Sequence, residues 1–381
     1  MNILFCTPFK PLDHPRVSGD VTIARDLVDF LIARGHNVKE TPFLSTEEIG
    51  FDPRKWLTLA RIRSRTRKLV RTFTPDLWLT YHSYYKAPDL LGPMMRRLGM
   101  HCPYCLFAAA YATKRKRSLK TLPGFLLNKH ALVTADHIFA NKREDMTNLS
   151  RLLPQSRLSF IRPGIRPSRF RFDTQARQEL RNRFGTGNRP VVISAAMLRP
   201  GVKAEGVQWV IRACSEIRKS GLDLHLLVLG DGPARSDLEE LAGHLLPDRV
   251  TFTGRVPRRE MAAHYSAGDL FVFPGINEGL GMVYLEAQSC GLPVVAFDHD
   301  GAPEVVDHGR TGLITPSFKA GPFTRAVRDL LSDSVRRREM GRRAAQYVRT
   351  EHDLDRNYTA MERSMLDLVA GYALRGAPDG R

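Results

Sequence analysis

The sequence has no long hydrophobic run and no recognisable leader. No apolar stretch in its 381 residues approaches the roughly 18 that a membrane-spanning helix requires. The first residues, MNILFCTPFKP, lack a charged segment followed by an apolar one, so no secretory signal is visible. These absences argue against a helical membrane protein, and we expect a cytoplasmic location.

Cysteine is scarce as well. The five cysteines are an odd number in mostly apolar surroundings, which favours reduced, buried thiols over a disulfide framework. Cys102 and Cys105 have the spacing of a redox pair, but the residues around them predict the start of a buried strand, whereas a reactive cysteine is typically exposed at a helix N-terminus. No second cysteine pair completes a zinc site. We therefore predict no redox role and no metal site.

Acidic residues are the third shortage. The chain has 58 Lys and Arg against 40 Asp and Glu, a formal charge of +18. Residues 1–165 contain 27 basic and 13 acidic side chains, whereas the remainder contains 31 and 27. This uneven surplus predicts an anionic partner for the first half, either a membrane surface, a phosphorylated acceptor or a nucleic acid. The sequence pattern argues against a nucleic acid, because no helix-turn-helix or aromatic-interleaved basic patch is evident. A basic protein without a charged partner is the alternative.

Length and composition indicate a globular protein of two domains, with 43% hydrophobic and 26% charged residues. The chain begins with a short apolar strand over residues 2–7, a loop through Ser18 and Gly19, an apolar-periodic helix over about 21–33, and another strand from His36. Strand, glycine loop, helix and strand form the first unit of a Rossmann-type domain. Gly19 is therefore a candidate for backbone contact with a ligand; an ordinary helix-start glycine is the alternative.

Residues 54–73 form the most basic segment, RKWLTLARIRSRTRKLVRTF. The segment predicts a helix that either packs on a sheet with a solvated basic side or also lies on a membrane surface. A second basic cluster, Lys114–Arg117, would add to the attraction of anionic lipid. The apolar positions expected to share one helical face are Trp56, Leu59, Leu69, Val70 and Phe73.

The most informative stretch is 271–297, FVFPGINEGLGMVYLEAQSCGLPVVAF. Its pattern predicts a buried strand, a glycine-rich loop, a helix over 282–290 and a second buried strand. The loop would aim backbone N–H groups and the positive end of the helix dipole at an anion. Glu278 in the loop and Glu286 in the helix would accept hydrogen bonds from hydroxyl groups. A sugar nucleotide offers both a diphosphate and hydroxyls.

Within this stretch, E-G-L-G-x-x-x-L-E-A followed by G-x-P-V-V-A resembles the E-x(7)-E signature of retaining glycosyltransferases of group 1, family four. The resemblance implies an α/β fold with two Rossmann-like domains facing across a cleft, the GT-B architecture. The first domain would span residues 1–165 and the second 166–353, with a C-terminal helix near 354–374 crossing back to the first. The polar, Arg-rich residues 166–188 would be the linker.

The resemblance also assigns roles to charged residues. It implies that Glu286 holds the ribose, that Glu278 is a catalytic residue beside the donor sugar, and that Lys203 binds the donor diphosphate and acts in catalysis. Arg199 would bind the diphosphate as well. Met197 occupies the position where the family has an arginine, and Arg199 lies shortly after it.

Two further predictions concern the donor. His82 follows a predicted buried strand, and that end of an open α/β sheet is where ligands bind. The resemblance implies that His82 faces the donor sugar in catalysis, and a structural histidine is the alternative. Gly19 would contact the donor through its backbone. The amides expected to meet the sugar and the diphosphate are those of Gly279, Leu280, Gly281 and Met282.

The resulting hypothesis is a retaining glycosyltransferase that moves a hexosyl group from a UDP- or GDP-sugar to a lipid-linked or polysaccharide acceptor in the synthesis of cell-envelope glycans. No cofactor or metal is expected, because fixed cations and helix-start amides would stabilise the departing diphosphate. The enzyme would be cytoplasmic, with peripheral attachment to the inner face of the membrane as an option. The alternatives are a sugar-nucleotide epimerase, a phosphorylase of the same fold, or a basic nucleic-acid-binding protein.

Overall fold

A computed structural model describes residues 1–14, 19–47, 49 and 52–376, without the side chains of residues 116, 117, 375 and 376. Ser18 and half of the basic cluster Lys114–Arg117 therefore fall outside the described side chains. The chain divides into two compact units. The first comprises the described parts of residues 1–162 and 355–381, and the second comprises residues 163–354.

The first unit alternates strands and helices around one parallel sheet. Its six strands have the order β2-β1-β3-β4-β5-β6, so the order reverses between β1 and β3. Its central strands are buried, as parallel strands covered on both faces should be. The elements are β1 (Asn2–Cys6), α1 (Gly19–Ala33), β2 (Asn37–Glu40), α2 (Pro53–Phe73), β3 (Leu77–Tyr81), α3 (Leu91–Arg97), β4 (Tyr104–Phe107), α4 (Leu122–Thr134), β5 (His137–Ala140), α5 (Arg143–Leu149) and β6 (Leu158–Phe160).

The second unit repeats this architecture with a second six-stranded parallel sheet. Its order is β12-β11-β10-β7-β8-β9, so the reversal lies between β10 and β7. Its elements are α6 (Thr174–Arg183), β7 (Val191–Ala195), α7 (Val202–Lys219), β8 (His225–Leu229), α8 (Arg235–Leu245), β9 (Val250–Phe252), α9 (Met261–Ser266), β10 (Leu270–Val272), α10 (Met282–Ser289), β11 (Val294–Phe297), α11 (Ala302–Val305), β12 (Gly312–Thr315), α12 (Ala320–Ser332) and α13 (Ser334–Glu351).

The last helix, α14 (Leu354–Gly376), packs on the first unit. Glu362 of α14 accepts hydrogen bonds from Arg34 Nε at 3.0 Å and faces His36 Nε2 at 2.8 Å. Tyr358 meets the Phe30 ring edge-on, with centroids 5.6 Å apart. Among the described residues, no helix combines the length and apolar character that crossing a membrane would need.

The apolar face of α2 differs in part from the prediction. Three residues of the helix are buried, namely Leu59, Ile62 and Thr66. The side chains of Leu69, Val70 and Phe73 are partly buried against the core. Trp56 was expected on this face, but it is 45% exposed. Burial on α2 begins only at Leu59, so the first turn leaves its indole on the surface.

The cysteines are buried thiols, as the sequence predicted. All five are unpaired and buried, and Cys105 lies within β4. Burial raises the pKa of Cys102 to about 12. The thiolate form that a redox cysteine needs is therefore disfavoured at neutral pH.

The predicted linker is a folded part of the second unit, and that interpretation was wrong. Residues 174–183 form α6, and two of its arginines bind Asp269 in the turn before β10. Arg177 Nη2 lies 2.6 Å from Asp269 Oδ1, Arg181 binds Oδ2, and the backbone N–H of Val191 donates to Oδ2 at 2.8 Å. Two of the six arginines in residues 166–188 therefore hold α6 against the turn before β10.

We predict that Asp269→Asn destabilises the second unit by about 2 kcal/mol, because charge-assisted hydrogen bonds to a largely buried carboxylate are lost. Asp223→Asn is the matched control, since Asp223 also binds two arginines, Arg189 and Arg249, but is 46% exposed. Its loss should be much smaller, because solvent screens exposed pairs. Urea unfolding measures both free energies, and equal losses would contradict the prediction.

Candidate functional site

The candidate site lies at the strand reversal of the second unit. β7 and β10 are neighbours there, and the connections that follow them lead to α7 and α10. Ligands of open α/β sheets bind outside the carboxyl ends of the strands at such a reversal. Lys203 lies in the first turn of α7, and Glu278 lies in the loop before α10. The fold thus brings together two residues that are far apart in the sequence.

The loop before α10 is held by close backbone packing. Gly281 has φ of 66°, a left-handed conformation that favours glycine, and it precedes the first helical residue. A Cβ on Gly301 would lie 2.7 Å from both Glu278 O and Gly281 N, so only glycine fits against the loop. The Gly301 N–H donates to Glu278 O at 2.8 Å, and the buried Tyr284 hydroxyl donates to Phe273 O at 3.1 Å.

This packing leaves a run of backbone donors without partners. Within the described residues, the N–H groups of residues 279–283 donate to no protein acceptor, whereas those of Glu278 and Tyr284 on either side do. Gly279 is exposed, and Leu280 and Met282 are partly exposed. Because α10 begins at Met282, the helix dipole adds positive potential at the same place. Free backbone donors at a helix start are groups that can bind an anion, and they lie in the loop for which the sequence predicted such a role.

Lys203 and Glu278 are in direct contact. The Lys203 ammonium binds Glu278 Oε2, and the two side chains are about equally exposed, at 21% and 20%. The same ammonium lies 5.5 Å from the centroid of the Phe273 ring. A cation, a carboxylate and free amides thus meet at one partly exposed place, which suits a ligand with both phosphate and hydroxyl groups.

Glu286 occupies a more enclosed position than the loop. The residue is 7% exposed, and Tyr265 donates its hydroxyl hydrogen to Glu286 Oε2 at 3.1 Å. Arg258 Nη2 lies 3.6 Å from Oε1. Burial raises the pKa of this carboxyl, and Arg258 opposes the shift. Arg258 is itself half-exposed, so the carboxylate has one neighbour that reaches solvent.

Sequence reasoning missed Arg258 and Tyr265. Arg258 follows β9 and Tyr265 lies in α9, on elements that precede the signature stretch. No short motif signals them, because their contact with Glu286 depends on the strand order, which the sequence pattern does not specify.

Arg199 does not share the contact that Lys203 makes with Glu278. It is exposed, and its Nη2 lies 2.8 Å from the sulfur of Met197. Within the described residues it forms no ion pair. The structure therefore joins Lys203, but not Arg199, to Glu278.

His82 lies at the strand reversal of the first unit. It follows β3, and its φ of 64° is uncommon for a residue with a side chain. The imidazole stacks on Tyr84 at 4.7 Å between centroids, and Nδ1 lies 3.4 Å from Asp20 Oδ1. Burial lowers the pKa of His82, and Asp20 opposes the shift. Gly19 begins α1 beside Asp20, and among the described residues no other part of the chain comes within 4 Å of the position its Cβ would take.

Comparisons with known proteins show similarity to glycosyltransferases. A family model described as glycosyl transferases group 1 matches residues 189–333. The GDP-mannose-dependent alpha-(1-6)-phosphatidylinositol monomannoside mannosyltransferase of Mycolicibacterium smegmatis is 34% identical over 288 residues, covering 74% of this chain and 73% of that protein. The alpha-D-kanosaminyltransferase of Streptomyces kanamyceticus is 37% identical over 184 residues, covering 48% of this chain and 47% of that protein.

A solved structure gives the fold. The sucrose-phosphate synthase of Thermosynechococcus elongatus matches with a TM-score of 0.76 at 20% identity, covering 97% of this chain and 100% of that one. Structural neighbours of this kind are GT-B glycosyltransferases. The predicted α/β fold with two Rossmann-like units is confirmed.

We predict that Gly301→Ala costs about 1–3 kcal/mol and weakens binding of a nucleoside diphosphate, because the new methyl group displaces the loop backbone. Gly243→Ala is the control: Gly243 lies within α8, and a Cβ there meets nothing within 4 Å. That change should be neutral or stabilising by up to about 1 kcal/mol. Thermal unfolding and calorimetric titration measure both effects, and normal binding by Gly301→Ala would contradict the role of the packing.

Proposed function

The chain belongs to the group 1 glycosyltransferases, and on that basis we propose that it transfers a hexosyl group from a nucleotide-diphosphate sugar with retention of configuration. The observation that supports this most directly is the run of unpartnered N–H groups at residues 279–283 beside Lys203 and Glu278. These donors suit a diphosphate, and the carboxylate suits sugar hydroxyls. The donor is the ligand with both groups in one molecule.

Each group of the site then has a defined role. The amides of Gly279 to Met282 bind the diphosphate and the sugar. Lys203 exchanges its contact with Glu278 for the diphosphate and stabilises the charge that develops on it as the glycosidic bond breaks. Glu278, released from Lys203, accepts hydrogen bonds from the transferred sugar. Because these groups supply the positive field, we propose that no metal is required.

The nucleoside end of the donor is proposed to lie toward Glu286. Its carboxylate would bind the ribose hydroxyls, with Arg258 approaching from the exposed side. Arg199 is proposed as a second diphosphate contact, which requires its guanidinium to leave the Met197 sulfur. In the first unit, His82 is proposed to hydrogen-bond a sugar hydroxyl, and Gly19 to approach the donor through its open backbone.

For the chemical step, we propose that the acceptor hydroxyl attacks the face from which the diphosphate departs. The bond from the anomeric carbon to the diphosphate oxygen breaks, a bond to the acceptor oxygen forms, and the hydroxyl proton passes to the departing diphosphate. A lipid-linked or polysaccharide acceptor is proposed. The M. smegmatis relative is named for a phosphatidylinositol monomannoside, which is a glycolipid.

We also propose that the first unit docks on an anionic membrane surface. Helix α2 contains eight cations, and within the described residues none of them pairs with a carboxylate. Leu57 on the same helix is 70% exposed and Trp56 is 45% exposed. Exposed apolar side chains among unpaired cations suit a leaflet of acidic lipids, where each cation near the surface contributes about 1 kcal/mol.

We predict that GDP-mannose stabilises the protein more than other sugar nucleotides do, because the M. smegmatis relative is named for that donor. A donor present at 100 times its dissociation constant adds about 2.7 kcal/mol. A thermal-shift panel of GDP-, UDP- and ADP-sugars measures the ranking, and the anomeric coupling constant of the product by NMR tests retention. No shift with any sugar nucleotide, or an inverted product, would refute the corresponding part of the proposal.

A second prediction concerns the Lys203–Glu278 contact. Glu278→Ala should abolish transfer while the fold survives, and Lys203→Met should lower kcat by about 10²–10³-fold, because a fixed cation on the leaving group is lost. Glu240→Ala on α8 is the control, since that side chain is 78% exposed. Steady-state kinetics and circular dichroism measure activity and folding. Undiminished turnover by Glu278→Ala would exclude a catalytic role for Glu278.

A further inference from the structure

A groove of about 370 Å³ opens on the first unit between α2, α3 and α4. Its floor is apolar, with Leu59 from α2, Leu90 and Pro93 at the start of α3, and Leu127 from α4. This volume falls within the roughly 300–1,000 Å³ of ligand sites in proteins. The groove belongs to the helical face of this unit, and none of its lining residues is among the donor-binding residues proposed above.

The mouth of the groove is cationic. Arg63 from α2 and Arg97 from α3 line it with His130 from α4, and Arg97 Nη2 lies 3.2 Å from His130 Nε2. Within the described residues neither arginine pairs with a carboxylate. Trp56 forms part of the wall, with 45% of its surface exposed. An anionic group at the mouth would therefore find two guanidinium groups that have no described carboxylate partner, although Arg97 also contacts His130.

The floor offers no free polar partner to a ligand. The single carboxylate in the described lining is Asp89, which is 1% exposed. Its oxygens accept hydrogen bonds from the Thr80 hydroxyl at 2.6 Å, the Tyr104 hydroxyl at 2.7 Å and the first backbone N–H groups of α3. Because these hydrogen bonds occupy both carboxylate oxygens of Asp89, that side chain has no acceptor left for a ligand. The enclosed part of a ligand must therefore be apolar.

We propose that this groove holds one hydrocarbon chain of an anionic membrane lipid, with the lipid phosphate at Arg63 and Arg97. An apolar cavity of this size below a cationic mouth is complementary to an acyl chain attached to a phosphate. Trp56 suits the boundary between them, because its ring is apolar and its N–H is polar. The inference deepens the proposed membrane docking and rests on it, while it is independent of donor chemistry.

The test uses the full-length protein with vesicles of phosphatidylcholine, with or without phosphatidylglycerol, and with bromine atoms on the acyl chains of one lipid at a time. Flotation measures docking, and quenching of tryptophan fluorescence by bromine measures chain contact. Of the three tryptophans, Trp78 is fully buried and Trp209 lies in the second unit, so quenching in the groove reports on Trp56. We expect flotation with phosphatidylglycerol and quenching by its brominated form, and loss of that quenching in Trp56→Phe.

Two matched variants separate the groove from the surface. Ala60 is exposed and lines the groove, so Ala60→Phe should fill it and abolish most of the quenching. Thr58→Phe adds the same ring to an exposed position of α2 that does not line the groove. The tryptophan fluorescence of this variant should be quenched as strongly as that of the wild type. Arg97→Gln should lower vesicle partitioning about fivefold. Thermal unfolding verifies that each variant is folded.

Several results would overturn the proposal. Flotation without quenching means that only the surface docks, and equal quenching in Ala60→Phe and the wild type places the chain elsewhere. If the protein floats only with neutral vesicles, or does not float at all, an anionic lipid is excluded as the ligand of the groove. A concentration-dependent dimer that Ala60→Phe abolishes would assign the groove to a second copy of the chain. Donor-induced thermal stabilisation is measured in parallel, so failure of lipid binding is distinguished from failure of the proposed transfer reaction.

Discussion

The close approach of Gly301 to the loop before α10 is the contact on which the candidate site depends. Gly301 binds Glu278 O, and the Gly281 backbone lies where a side chain on Gly301 would have to be. The loop is thereby fixed without using the N–H groups of residues 279–283. Unpaired donors in a partly enclosed place are unfavourable unless water or a ligand binds them. The packing that holds the loop therefore also leaves these donors available to water or a ligand.

Parallel topology explains why the remaining groups converge on this loop. Every strand of a parallel sheet ends at the same edge, so the residues after each strand collect there. The strand reversal separates α7 from α10 and leaves a gap between their N-termini, where Lys203 meets Glu278. The first unit has the same arrangement between β1 and β3, with Asp20 and His82 beside it. The two sheets therefore share one topology at the strand reversal but carry different side chains there.

Local patterns predicted the parts of this arrangement that depend on local sequence. The glycines, the helix start at Met282 and the carboxylate of Glu278 are encoded within one short stretch, and the structure places them as expected. Arg258 was missed because its contact with Glu286 joins two separate elements, and strand order decides which elements meet. The error at Trp56 has a similar origin. Helical periodicity identifies a face of α2, but the neighbouring elements determine how far along the helix that face is covered.

The two units also differ in how they use arginine. In the second unit several arginines are matched locally, with Asp269, Asp223 and Glu339 each binding two of them. In α2 of the first unit the cations have no described carboxylate partner, although the helix forms and buries Leu59 and Ile62. Like charges at helical spacing repel one another and destabilise the folded state by a few tenths of a kcal/mol per pair, about as much as opposite charges stabilise it. In the membrane docking proposed above, an anionic surface would remove that repulsion, so the cost of these charges to folding would be offset on binding.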